Sequence, residues 1–139
     1  MIARKSFSIT AKRFAGDIFP SGYYYYAGSA QKNLQHRVAR HLKKEKIVNW
    51  HIDHLTILPF VEITKVFILP DAPKSDECGL VKTLQMDFGL SANKKGFGNG
   101  DCQICETHLL YSEKPIDQSH FISLYHSTVC LTPSSMEIS

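Results

Sequence analysis

The sequence predicts an α+β fold, a small antiparallel β-sheet flanked by helices. Three observations predict it. Residues 23–27 form an aromatic run of the kind that favours a strand. Residues 30–46 carry Leu34, Val38 and Leu42 at four-residue spacing with no Gly or Pro between them, which is a helical stripe. Residues 61–69 are rich in β-branched and aromatic side chains and stop at Pro70, which reads as another strand.

Taken in order, residues 7–10 read as a short strand and residues 14–21, with Gly16 and Pro20, as a turn into the aromatic strand. Gly28 and Ser29 end that strand, and Ser29 suits the N-cap of the helix over 30–46. Residues 50–55 read as a short helix or a turn. Residues 71–75 are a loop, and Ser75 suits the cap of a second helix over 76–88, with Cys78, Val81, Leu84 and Phe88 facing inward. Three glycines and two lysines make 91–100 a flexible loop. Residues 108–112 are an edge strand and 121–131 one more strand. One domain over residues 1–131 followed by a flexible tail, 132–139, is expected.

Charge is divided along the chain. Residues 1–46 hold ten cations against two acids, and the remainder holds six lysines against eleven acids. On the first helix Arg37, His41 and Lys44 share one stripe, with Arg40 and Lys43 beyond it. That face suits a phosphate backbone, or is simply a solvated helix surface. No apolar run is long enough to cross a bilayer, and no secretory leader is visible, so a cytoplasmic protein without a membrane partner is expected. Residues 1–19 are basic and acid-poor up to Asp17. They read as an organelle-targeting composition or, preferably, as a basic edge strand with its loop.

Three constellations carry candidate chemistry. Tyr26, Gly28 and Ser29 lead straight from a strand into a helix bearing Arg37, Arg40 and His41. A helix N-terminus favours an anion, and a guanidinium there can fork two bonds onto phosphate oxygens. Cys102, Cys105 and His108 at three-residue spacing, with Cys78 distant, suit tetrahedral Zn²⁺ or are buried structural residues. Trp50, His51, Asp53 and His54 offer a His–Asp pair. Such a cluster more often fixes a turn while the tryptophan fills the core, so Trp50, His51 and Asp53 are placed structurally near the site.

Tyr26-Ala27-Gly28 resembles the second half of the GIY-YIG nuclease signature, and Leu34-x-x-Arg37 with His41 one turn on resembles the helix that follows it. Trp50-His51-Ile52-Asp53, Phe97-Gly98-x-x-Asp101-Cys102 and Thr107-His108-Leu109 resemble the motifs of the Uri-type branch of that superfamily. The resemblance implies a metal-dependent endonuclease that hydrolyses a DNA phosphodiester with Mg²⁺ or Mn²⁺. It implies Arg37 and His41 at the scissile phosphate, Tyr26 activating or orienting water, and Glu77 as the metal ligand. Gly28, Ser29, Arg40, Lys43 and Lys44 would contact the DNA backbone. The sequence departs from the pattern in having no Gly-x-Tyr before Gly22-Tyr23-Tyr24, Ser29 in place of a common lysine, and Gly100 and His54 in place of the branch's usual residues. A non-catalytic nucleic-acid-binding module and a zinc-stabilised interaction domain are the competing expectations.

Overall fold

The computed structural model describes residues 1–29, 33–70, 76–98 and 105–133. The elements are β1 (Ile2–Ala3), β2 (Gly22–Tyr26), α1 (Leu34–Leu42), α2 (Asp53–Thr56), β3 (Val61–Glu62), β4 (Val66–Ile68), α3 (Asp76–Phe88), β5 (Leu109–Ser112), α4 (Gln118–Leu124) and β6 (Val129–Leu131). A four-stranded antiparallel sheet runs β3-β1-β2-β5, and β4 pairs with β6 in a separate ribbon. The expected α+β architecture is present, with β5 on the edge as the sequence suggested.

Strand β2 organises the molecule because its tyrosines alternate between two cores. Tyr24 is 2% exposed and packs with Phe7, Phe14, Phe19, Ile52, Leu55 and Phe97, while Tyr26 lies against the same cluster. Tyr25 points to the other side, against Val81, Leu84, Leu110 and Phe121. Strand β5 follows the same alternation, Leu109 to the first core and Leu110 to the second. Side chains that reverse at every residue let one sheet seal α2 on one face and α3 with α4 on the other. The strand enters through Gly22, at φ 141°, where a Cβ would sit 2.6 Å from the Tyr111 hydroxyl. Only glycine leaves room for that ring, whose hydroxyl donates to the Ser21 carbonyl at 2.5 Å.

Several sequence expectations are corrected. Residues 7–10 form no strand. Phe7 makes one isolated bridge with Phe19, their rings stack at 5.0 Å, and the strand ahead of β2 comes instead from Ile2 and Ala3, which lie between β3 and β2. Residues 61–69 divide into β3 and β4, which join different sheets. Residues 121–131 are not one strand. Asp117 accepts hydrogen bonds from the Ser119 and His120 amides and starts α4, and only Val129–Leu131 is extended. The 91–98 stretch is packed rather than loose, because Phe97 is fully buried and Ser91 bridges Tyr111. Helix α3 matches its expected bounds, with Val81 and Leu84 buried and Cys78 and Phe88 half-buried. The expected cap Ser75 and loop 71–75 lie outside the described residues, as does most of the expected tail.

Helix α1 is shorter than its periodicity implied. Asn33 sits at φ 57°, a left-handed conformation that cannot be threaded by a helix, so α1 begins at Leu34. Lys46 folds back and donates to the Arg40 and His41 carbonyls and to the Thr56 hydroxyl, which satisfies the last turn and ends it. Of the expected stripe, Val38 is buried, Leu42 half-buried and Leu34 exposed. No described helix is long and apolar enough to cross a membrane.

Candidate functional site

Tyr26 closes β2 with its ring between two glycines. A Cβ on Gly28 would lie 3.3 Å from Cε2, and one on Gly98, at φ 70°, would lie 2.8 Å from Cε1. The neighbour that Gly28 admits is the Tyr26 ring. The His41 and Phe97 rings stand 6.3 and 6.5 Å away. Burial pushes the phenol up to about 12. Glu77 adds to the rise, Arg37 opposes it, and Asp53 adds a little more. A phenol so placed is neutral at physiological pH and acts as a hydrogen-bond donor rather than a base.

Ser29 joins the other two members. Its hydroxyl donates to Glu77 Oε2 at 2.5 Å, and its carbonyl accepts from Arg37 Nη1 at 3.1 Å. Ser29 was expected to cap α1. Its side chain instead binds the acid in the first turn of α3, 48 residues later in sequence. Arg37 and Glu77, from α1 and α3, therefore meet at one serine, and the Tyr26 phenol at the end of β2 feels the charge of both. Among the described residues Arg37 spends one of its five N–H groups, on that carbonyl. His41 completes the group. Burial, aided by Lys46, lowers its pKa, with Asp53 opposing and Arg40 and Arg37 adding smaller effects, so its imidazole is neutral. Its Nδ1 is buried with no hydrogen-bond partner among the described residues.

The neighbouring cations divide by role. Arg40 forks onto Asp53 at 3.0 and 2.9 Å and also donates to the Ile47 carbonyl. Asp53 is fully buried and accepts further bonds from the Asn49 and Trp50 amides. Burial would raise its pKa. The Arg40 bonds, the two amides and the arginine's charge outweigh that and hold it at about 2. Lys44 binds the Leu58 and Val61 carbonyls, so Arg40 and Lys44, both expected on phosphate, tie α1 to the segment that follows it. Lys43 is exposed. Trp50 was expected in the core, yet it is 40% exposed. The guanidiniums of Arg37 and Arg40 lie over its ring at 5.0 and 4.7 Å, so two cations cover a face that apolar side chains would otherwise fill. His51 accepts from the Gly98 amide at 3.0 Å and packs on Phe14 and Phe97. It thereby holds Gly98 against Tyr26.

On the far side of Glu77 is a second cluster. Cys78, Cys105 and His108 bring ligand atoms within 4.8 Å of one another, close enough to hold one metal ion. Cys78 and Cys105 place their sulfurs 2.7 Å apart, and His108 Nε2 is 3.0 Å from the Cys105 sulfur. His108 Nδ1 stands 3.0 Å from Glu77 Oε1. The sequence had paired these residues with Cys102, which lies outside the described residues. It did not reveal that Glu77 contacts both clusters. The adjacency of Glu77 and Cys78 was the available signal, since consecutive helix residues project to neighbouring directions about 100° apart.

The chain belongs to the family described as Domain of unknown function DUF123, whose model matches residues 1–130. No curated protein and no solved structure matches it.

Proposed function

We propose that this member of the DUF123 family is a metal-dependent DNA endonuclease of GIY-YIG type. The observation that carries the reading is the meeting of Arg37 and Glu77 at Ser29, within electrostatic reach of the Tyr26 phenol. Among the described residues Arg37 is left with donors to spare. The motifs Tyr26-Ala27-Gly28, Trp50-His51-Ile52-Asp53 and Thr107-His108-Leu109 support the same assignment.

Glu77 is the residue that would hold Mg²⁺ or Mn²⁺. Its side chain is 15% exposed, and among the described residues its oxygens face a hydroxyl and an imidazole, which leaves lone pairs for an ion. One carboxylate with retained waters fits a hard divalent ion. Such an ion supplies charge neutralisation at the phosphate and the leaving oxygen. Arg37 binds the scissile phosphate through its remaining N–H groups. Tyr26, protonated, donates a hydrogen bond that orients the attacking water. His41, its pKa lowered by burial, is the group that would accept that water's proton. A cytoplasmic setting belongs to the reading, because reduction there keeps Cys78 and Cys105 as thiols.

Incubating supercoiled plasmid with the protein and Mg²⁺ tests the proposal. The expected result is nicking that chelation stops, lowered at least about 10²-fold in Arg37→Ala, the scale for losing one preorganised contact to developing charge. Binding of DNA by the wild-type protein with no nicking under any divalent ion would replace the nuclease by a non-catalytic nucleic-acid-binding module. Wild-type rates in Arg37→Ala would remove the assigned site.

A further inference from the structure

We infer that Cys78, Cys105 and His108 form a zinc-class metal site whose ion orients Glu77 through His108, so that a soft-metal centre and the hard-metal carboxylate of the proposed nuclease share one side chain. The site stands on its own geometry. Its link to catalysis rests on the nuclease reading.

The donors decide the metal. Two thiolates and an imidazole are soft to borderline ligands, which select Zn²⁺ and not Mg²⁺ or Ca²⁺. They come from two places, the first turn of α3 and the segment just before β5, and still converge within 4.8 Å. His108 is 5% exposed, and its two nitrogens face different partners. Nε2 faces the sulfur of Cys105, while Nδ1 lies 3.0 Å from Glu77 Oε1 without the alignment of a hydrogen bond. A histidine that gives Nε2 to a metal carries its proton on Nδ1, and that proton is normally donated to a carboxylate or carbonyl, which fixes the ring. Glu77 stands where that acceptor is required. Binding converts two thiols to thiolates and releases two protons for each ion taken up, with no redox change.

The same carboxylate receives the Ser29 hydroxyl on its other oxygen, and the Ser29 carbonyl receives Arg37. The ion therefore anchors a chain that runs from His108 through Glu77 and Ser29 to Arg37. Removing it frees His108 to turn and leaves Glu77 held on one side only.

The test is titration of the reduced, metal-free full chain with Co²⁺, followed by displacement with Zn²⁺. The expected result is about one equivalent bound, with the thiolate-to-cobalt charge-transfer band and strong visible bands of tetrahedral coordination. These should be lost in Cys78→Ser and Cys105→Ser and kept in Cys130→Ser. Glu77→Gln should keep the bands and bind zinc about 10- to 100-fold more weakly, the range for losing an outer-shell partner. If the serine variants do not fold, the wild-type spectrum still decides. Absence of the bands, or a Cys78–Cys105 disulfide in peptides mapped without reduction, overturns the site. Unchanged zinc affinity in Glu77→Gln overturns the coupling. Zinc binding without plasmid cleavage would fail only the nuclease reading, and cleavage without zinc binding would fail only this one.

Discussion

Asp53 and Glu77 are two sheltered carboxylates near the Tyr26 phenol, and they are built for opposite tasks. Asp53 is saturated. Arg40 forks onto it, two backbone amides cap it, and nothing of it reaches solvent. Glu77 meets a hydroxyl on one oxygen and an imidazole on the other, with no Lys or Arg within salt-bridge distance among the described residues. The first arrangement fixes a corner of the fold, because the acid's charge is already matched. The second leaves negative charge open to an ion. The arginines mirror the acids: both lie over Trp50, but Arg40 is forked by Asp53 while Arg37, among the described residues, binds a carbonyl. Charge near a cleft is therefore a poor guide to function until each charge's partner is known.

The comparison is broken most forcefully at Asp53. Asp53→Ala leaves Arg40 without its partner and two amides uncapped, and is expected to cost about 3–5 kcal/mol in urea unfolding, the range for breaking a buried ion pair. A loss below about 1 kcal/mol would mean that Asp53 does not hold this corner. The pH dependence gives the next largest effect. The folded pKa of about 2 lies below the ordinary 3.8, so the unfolded chain binds more protons between them. Stability from this group is complete above about pH 4 and disappears as pH falls towards 2, amounting to roughly 2 kcal/mol. Urea midpoints at pH 6 and pH 3 should differ accordingly in the wild type, and this part of the difference should vanish in Asp53→Asn.

Gly98→Ala sharpens the contrast from the side of Tyr26. The added methyl meets the phenol ring at a positive φ, so a loss of roughly 1–3 kcal/mol is expected, together with slower cleavage as Tyr26 is displaced. Unchanged cleavage would separate the ring's position from the chemistry. Lys43→Ala is the smallest change. Stability should move by less than about 0.5 kcal/mol, while the slope of log DNA affinity against log salt falls by about 1. An unaltered slope would place the DNA path elsewhere.

Much of this was legible in the sequence where the signal is local. The tyrosine run made β2, and apolar spacing with early acids made α3. The bonds that tie Ser29 to Arg37 and to Glu77 carry no sequence signal, because both partners lie in later segments. What escaped depends on partners far along the chain. Ile2 and Ala3 carry no strand signal of their own and are extended because β2 and β3 pair with them. Arg40 and Lys44 look like phosphate ligands on a helical wheel, but their acceptors are supplied by residues after the helix. Trp50 was assigned to the core by size, before two guanidiniums were seen to cover it. Helix α4 was missed although Asp117, its cap, stands in plain view ahead of Phe121.

Single-turnover plasmid cleavage by Glu77→Gln, at matched circular dichroism and matched DNA binding, is the most direct test. The account predicts a variant that binds DNA as the wild type does and cuts at least about 10²-fold more slowly. Cleavage at the wild-type rate would show that the open carboxylate is not where the ion acts.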